Sequence, residues 1–450
     1  MSAVVDIGSV PRRRLRVLTD VPGPRSRDVR EREGQHLAPG SQAIASYAGI
    51  VVERGFGSEL VDLDGNQFLD LAAAICVASI GYGHPRYERE LAAQLAAVHV
   101  GSFTTLARVG ALESLTALLP AGLDRVQLFS GGSEAVESAM RLARAYTGKF
   151  EVLSFWGGFH GKTSGTLAQM GSEFKRGLGP VSPGAHLAPY ADCANCPFKL
   201  QHPSCGLLCV EFTRDKLKKE TTGSLAAILV EPMQGTAGNV IPPPDWLPAI
   251  AEVAKENDAL LIADEMITGL GRTGRNFAVE RSNVRPDIMT LGKALGGGYP
   301  VAAVVSRTDV VSAEPWSKPS FSSSSYGGNP LASAAIQASV GIIVDEGLPE
   351  RARVLGERFH EGLLSLAERY PAVQNVRGEG LFLGFDLVSD DGTPWTSSSC
   401  RGLFDALLRR GLITMAYAPR VRINPPLVIT AEQVDESLAL FDEALDEVSA

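Results

Sequence analysis

Lys293 directly follows Gly292 and the apolar run Ile288–Leu291, and the glycines Gly296–Gly298 come just after it. The run reads as a short buried strand, and the glycines let the backbone turn where side chains would block it. A lysine at the mouth of a strand in an α/β protein stands where ligands collect, beyond the carboxyl ends of the strands. Taken alone, such a lysine is more often a solvated surface residue. A second apolar run, Ala259–Ala263, changes the balance because it ends in Asp264 and Glu265. Asp264 precedes Lys293 by 29 residues. That is the length of one strand–crossover–strand unit, so both side chains are expected on one rim of a parallel sheet.

An amine and a carboxylate on one rim suit pyridoxal phosphate. The amine condenses with the aldehyde, and the carboxylate keeps the ring nitrogen protonated so that the ring accepts electrons. The phrases Leu261-Ile-Ala-Asp-Glu-Met-Ile-Thr-Gly269, Gly271-Arg-Thr-Gly274 and Leu291-Gly-Lys-Ala-Leu-Gly296 resemble those of the class III pyridoxal-phosphate aminotransferases. Ornithine and 4-aminobutyrate aminotransferases belong to that family. The resemblance spans residues near 40 to 445 and implies an α/β, fold-type-I transferase: a large domain with a mostly parallel sheet and a small α+β domain. It also implies transfer of an amino group from a donor such as glutamate to a carbonyl acceptor, by ping-pong kinetics. On the same scaffold a decarboxylase, racemase or aminomutase is the alternative, since the electron sink does not choose which bond breaks.

Other motifs fall into place around this pair. The strand-like Arg125–Phe129 runs into Ser130-Gly-Gly-Ser-Glu-Ala, and Val136, Ala139, Met140 and Ala143 then follow helical spacing. Gly132 and Ser133 therefore lie at a helix N-terminus, where free amides and the helix dipole favour a phosphate. The phrase resembles the family's phosphate-binding turn. Phe159 matches the aromatic that stacks on the pyridine ring in the family, and His160 reads as a hydrogen-bonded wall of the site. Glu231, at the end of the strand Ala227–Val230, and Ile267 complete the cofactor-binding set. Ser322-Ser-Ser-Ser-Tyr-Gly-Gly-Asn-Pro330 resembles the segment whose hydroxyl, here Ser325, reaches the phosphate in the neighbouring subunit. A homodimer with active sites at the subunit interface follows from that resemblance. Arg422 occupies the position of the family's carboxylate-binding arginine, and a bidentate pair with an amino-acid donor is its expected role.

The chain departs from the ornithine type at three substrate-facing or cofactor-facing positions. Thr236 stands for a glutamate that shields the arginine, Ile267 for a glutamine, and Ile75 for a substrate-recognising aromatic. A small, uncharged wall leaves room for a bulky substrate, and these departures together with the Cys193–Cys209 insert resemble the amino-sugar aminotransferases of aminoglycoside antibiotic biosynthesis.

Gly269-Leu-Gly271-Arg-Thr-Gly274 satisfies G-x-G-x-x-G. It is displaced from the strand end by Glu265–Thr268 and no apolar helix follows, so a nicotinamide-binding reading is weak. Cys193-x2-Cys196-x8-Cys205-x3-Cys209 is open to three readings: a zinc site of irregular spacing, a labile disulfide, or reduced thiols. No metal is assigned to the catalytic set.

The 450 residues suit a large and a small domain. The expected division is residues 1–78 as an N-terminal arm and part of the small domain, 79–335 as the large domain, and 336–450 as the remainder of the small one. A net charge of −9 argues against nucleic acid. No apolar run reaches membrane-spanning length and no signal-peptide core is present, so the expected location is cytoplasmic and the partners are small-molecule amines and carbonyls. Arg12, Arg13, Arg14 and Arg16 are interspersed with acid downstream, which favours an arm over a partner subunit rather than a presequence. Residues 1–40 read as irregular. Ser58–Leu63 and Gln67–Leu71 around Asp64-Gly65-Asn66 read as a hairpin. Helices are expected over 86–99, 244–257, 330–345, 348–369, 403–410 and 431–448, with strand over 381–388.

Overall fold

The computed structural model describes residues 15–449. Its strands run along the chain as β1 (Val52–Phe56), β2 (Glu59–Asp62), β3 (Gln67–Asp70), β4 (Arg125–Phe129), β5 (Glu151–Phe155), β6 (Ala185–Ala188) and β7 (Leu225–Val230). They continue as β8 (Leu260–Asp264), β9 (Ile288–Leu291), β10 (Ala302–Ser306), β11 (Val373–Glu379), β12 (Phe382–Leu387), β13 (Leu412–Ile413) and β14 (Arg420–Ile423). Chain contacts divide the molecule into two units, Arg86–Pro349 and the two chain ends, through Pro85 and from Glu350.

The middle unit holds a seven-stranded sheet in the order β4-β10-β9-β8-β7-β5-β6. β6, β5, β7, β8 and β9 pair in parallel, while β10 runs antiparallel to both β9 and β4. β7, β8 and β9 are buried at every position, which is why their sequences are continuous apolar runs rather than alternations. Helix Gly132–Thr147 covers one face with Ala135, Val136, Ala139, Met140, Leu142 and Ala143, packed among Phe129, Ile262, Ile288 and Val304. Removing one such large side chain costs about 2–5 kcal/mol. The helix stops at Gly148, whose φ of +69° closes the last turn in the left-handed region.

The unit of the two chain ends carries two sheets, β1-β2-β3-β13 and β11-β12-β14. The expected hairpin is present as antiparallel β2 and β3. Asp62 fixes its turn, taking the Asn66 backbone N–H and side-chain amide at 2.8 Å each. Phe68, Phe404, Leu408 and Met415 centre the core beneath.

Several expectations need correction. Pro24–Gly34 is a helix, not irregular chain. Its N-cap Gly23 has no side chain to offer, and Asp64 from the hairpin turn instead accepts the N–H groups of Arg25 at 2.8 Å and Ser26 at 2.9 Å. Arg12, Arg13 and Arg14, assigned to the arm, lie outside the described residues. Helix Ser397–Arg409 starts earlier than the expected 403 because Thr396 caps it, accepting the Ser399 N–H at 3.1 Å. The cysteine segment ends in a helix, Leu208–Glu220. No single helix among the described residues is long and apolar enough to cross a membrane.

Candidate active site

The parallel strands of the middle unit release their functional residues at one rim. β8 ends on Asp264, and Asp264 lies opposite Thr290 of β9 in the strand register. Lys293 begins its turn three residues beyond Thr290, as the sequence orders it. Phe159 and His160 come from the loop after β5, Glu231 from the end of β7, and Ser130–Ser133 from the end of β4.

Asp264 is 3% exposed and fully engaged. His160 Nδ1 lies 2.7 Å from Oδ2. The Thr290 hydroxyl donates to Oδ1 at 3.0 Å and the Met266 N–H at 3.2 Å. Buried carboxylates persist only with such partners. Asp264 as a bare helix cap is therefore excluded by its own contacts. Lys293 has φ +47°, a left-handed conformation that non-glycine residues adopt at a cost and that clusters at functional sites. Its half-buried ammonium makes no hydrogen bond or ion pair with any described residue.

The cradle at helix Gly132–Thr147 is tight. A Cβ on Gly161, whose φ is +120°, would lie 2.1 Å from Ser133 Oγ. Ser133 Oγ itself accepts the Lys162 N–H at 3.2 Å. The Glu134 carboxylate holds the Ser130 N–H at 3.0 Å, and the first-turn amides have no intrahelical acceptor. The buried Ser130 hydroxyl has no partner. Met266 forms the floor between the cradle and the lysine turn: its sulfur would lie 3.3 Å from a Cβ on Gly132 and 2.5 Å from one on Gly292. A phosphorylated pyridine aldehyde fits these groups: the Ser130 hydroxyl and the helix-terminal amides can donate to its phosphate, the Asp264 carboxylate can accept from a protonated ring nitrogen, and the Lys293 amine can condense with the aldehyde.

Phe159 meets Phe174 edge-on, centroids 5.6 Å apart. Glu231 is buried, and burial pushes its carboxyl up to about 7, the charge of Asp264 adding to the rise while His160 opposes it. Glu265 is also pushed up to about 7 by burial. Its role is structural, since it accepts the Val279 N–H at 2.8 Å and the Thr268 hydroxyl. Ile267 is 8% exposed, and Gly235 passes so close that a Cβ there would sit 2.3 Å from its Cδ1. Thr236 is half-buried next to that contact, and Ser325 is exposed beside Tyr326.

In the unit of the chain ends, Ile75 sits in a turn the sequence does not announce. Ala73, Ala74, Ile75 and Cys76 all have positive φ, from +46° to +65°, a left-handed turn costing about 1–2 kcal/mol per residue. Asp70 sustains it, accepting the Ala72 N–H at 2.7 Å and the Tyr82 hydroxyl at 2.6 Å. Arg422 on β14 is half-buried and pairs with no described carboxylate.

Two further motifs have definite local geometry. Gly269–Gly274 forms turns with Leu270 at φ +59° and Gly271 at +95°. A short 3-10 turn at Ala278–Ser282 follows rather than a helix, so the dinucleotide geometry is absent there. Cys193, Cys196, Cys205 and Cys209 line one cavity with Phe198 and His202. None is in a disulfide, and no three His, Cys, Asp or Glu among the described residues are grouped to hold a metal ion. Burial, reinforced by neighbouring thiols, pushes Cys193 and Cys209 up to about 11.

Thr290 and Met266 were not singled out from the sequence. Thr290 sits in the apolar run before Lys293, and a lone hydroxyl inside a buried strand is the signal that points to it.

Known proteins share this arrangement of chain. The acetylornithine aminotransferase of Methanothermobacter thermautotrophicus is 35% identical over 403 residues, covering 89% of this chain and 94% of that protein. The leucine/methionine racemase of Thermococcus litoralis is 33% identical over 410 residues, covering 90% and 92%. A pyridoxal-phosphate-bound amine transaminase from an uncultivated Pseudomonas species superposes with a TM-score of 0.86 at 28% identity, covering 92% of this chain and 98% of that one. The family described as aminotransferase class-III matches residues 41–445. The chain is a member of the class III aminotransferases, a fold-type-I enzyme that uses pyridoxal phosphate.

Proposed function

We propose that this transaminase takes its amino group from a carboxylate-bearing donor such as glutamate and passes it to a bulky carbonyl acceptor of the amino-sugar or other primary-amine class. The observation that carries the donor reading is Arg422, a half-buried guanidinium without a described carboxylate partner. A planar fork in that state is suited to a bidentate substrate carboxylate. Thr236 and Ile75 bear on the acceptor reading through the resemblance to the ornithine type, whose glutamate and aromatic at these two positions they replace with small or aliphatic uncharged side chains.

Pyridoxal phosphate supplies an aldehyde and an electron-accepting ring. In this reading Gly132, Ser133 and the Ser130 hydroxyl would hold its phosphate, Phe159 would pack on the ring, and Asp264 would keep a proton on the ring nitrogen. His160 and Thr290 keep the Asp264 carboxylate aimed. Lys293 would hold the aldehyde through its amine, and the same amine is the group that could take up and return a proton as base and then acid. Its lack of a competing ion pair leaves it free for both tasks.

Ser325 serves the second copy's site in this reading, which requires a homodimer. Support comes from large apolar side chains left in solvent: Phe103 at 89%, Leu106 at 91% and Tyr326 at 63% exposed. Six unpaired cysteines are in keeping with a cytoplasmic setting.

A panel of amino acids, amines and amino sugars offered to the pyridoxal form, read by its conversion to the pyridoxamine form, tests the assignment. Conversion by glutamate and by a bulky amine is expected; no conversion by any carboxylate-bearing donor overturns the donor reading. The racemase relative supports a second reading. Epimerised product formed without a second amino partner would favour it.

A further inference from the structure

We infer that Glu231 is a positioning residue that ties the loop bearing Phe159 to the loop bearing Gly235 and Thr236, so that the cofactor-facing and substrate-facing walls hold or loosen together. This deepens the proposed reading and rests on it for the meaning of the two walls; the tie itself does not.

Glu231 is 5% exposed. One carboxylate oxygen accepts the Phe159 N–H at 2.8 Å, and the other accepts the Gly235 N–H at 3.0 Å. The two amides belong to loops after β5 and β7, separated by more than 70 residues of chain. Gln234 adds a second strut between the same loops, its amide donating to the Trp156 carbonyl at 2.9 Å. The Glu231 carbonyl accepts the Tyr190 hydroxyl at 3.1 Å, which fixes the residue from below. Gly235 in turn abuts Ile267, so movement of its loop reaches the chain beside Asp264.

A carboxylate is the side chain that does this, because it is acceptor-only and presents one oxygen to each amide. A glutamine keeps the length but turns an NH2 toward one of two donors. Protonation has the same effect in milder form, converting one oxygen into a donor. The charged and titratable groups facing Glu231 are His160, Asp264 and Tyr190, the last itself near Arg281 and Asp192. Burial, with Asp264 adding, moves the Glu231 carboxyl to about 7, so the tie is expected to loosen as the solution is taken below neutrality.

The test compares wild type with Glu231→Gln by hydrogen exchange of the apoprotein and by pyridoxal phosphate affinity from pH 6 to 8.5. In the variant, the Phe159 and Gly235 amides should exchange at least tenfold faster and by similar factors, with the Val279 amide unchanged. Pyridoxal phosphate should bind about tenfold more weakly, and KM for the amine should rise more than kcat falls. In wild type both amides should lose protection together below neutrality, after correction for intrinsic exchange. That measurement stands alone if the variant does not fold. Independent responses of the two amides, or wild-type exchange and affinity in the variant, would overturn the inference. Failure of wild type to bind pyridoxal phosphate would instead sink the functional reading and leave the amide coupling to be judged separately.

Discussion

His160 Nδ1 and Asp264 Oδ2 stand 2.7 Å apart with side chains 1% and 2% exposed. Water does not compete for either group, so the histidine fixes which way the carboxylate faces. Asp264→Asn removes the charge and keeps the shape. Its kcat should fall by about 10³-fold or more if Asp264 is the group that keeps the ring nitrogen protonated, as proposed. His160→Gln, which retains a donor, should cost less than Asp264→Asn. Steady-state kinetics on both variants checks the order; equal losses would assign His160 a direct part in chemistry.

Lys293→Ala should abolish turnover, with a residual rate at least about 10³-fold below wild type. Its left-handed backbone is easier for alanine than for a β-branched residue, so the fold should survive. Turnover at the wild-type rate would refute the central assignment.

Arg422→Ala should raise KM for a carboxylate-bearing donor by about 10–100-fold, the worth of a charge-assisted hydrogen bond of about 1.5–3 kcal/mol. Donors without a carboxylate should be unaffected. Parallel KM measurements with paired donors decide it, and an equal effect on both kinds would make Arg422 structural.

Gly161→Ala combines a φ of +120° with a Cβ placed on Ser133 Oγ. Relief requires Ser133 to move, so pyridoxal phosphate affinity should drop at least about tenfold and stability by about 1–3 kcal/mol. Titration of the apoprotein followed by absorbance measures the first effect, and thermal unfolding the second.

Glu265 has a folded-state value of about 7 against an ordinary 4.5. The folded form therefore binds the proton more tightly than the unfolded one. Its contribution to stability is complete below about 4.5 and is lost as pH rises through about 7. Glu265→Gln should remove this dependence, so wild type should lose more stability than the variant between pH 5 and 8, by on the order of 3 kcal/mol at most. Denaturant unfolding of the apoproteins across that range reports the difference.

Local pattern carries far in this chain. Ile262 and Ala263 leading to Asp264, Met289 to Leu291 leading to Lys293, and Ser130 to Ser133 opening a helix are all short-range signals. Period and turn chemistry are written in neighbouring residues, so strand ends and the residues they deliver are legible. The strand ends that carry the amine and the acid, the helix start at Gly132 and the family were accessible in this way. Contacts between chain-distant groups were not. The helix Pro24–Gly34 is capped by an aspartate 39 residues away. The left-handed turn at Ile75 is held by Asp70 and Tyr82 from either side, against the preference of every residue in it. Glu231 shows only a strand end in sequence, and its two amide partners become neighbours when β5 and β7 pair. Tertiary structure decided these features because burial, not propensity, removed water and left each polar group only the partners that folding brought to it.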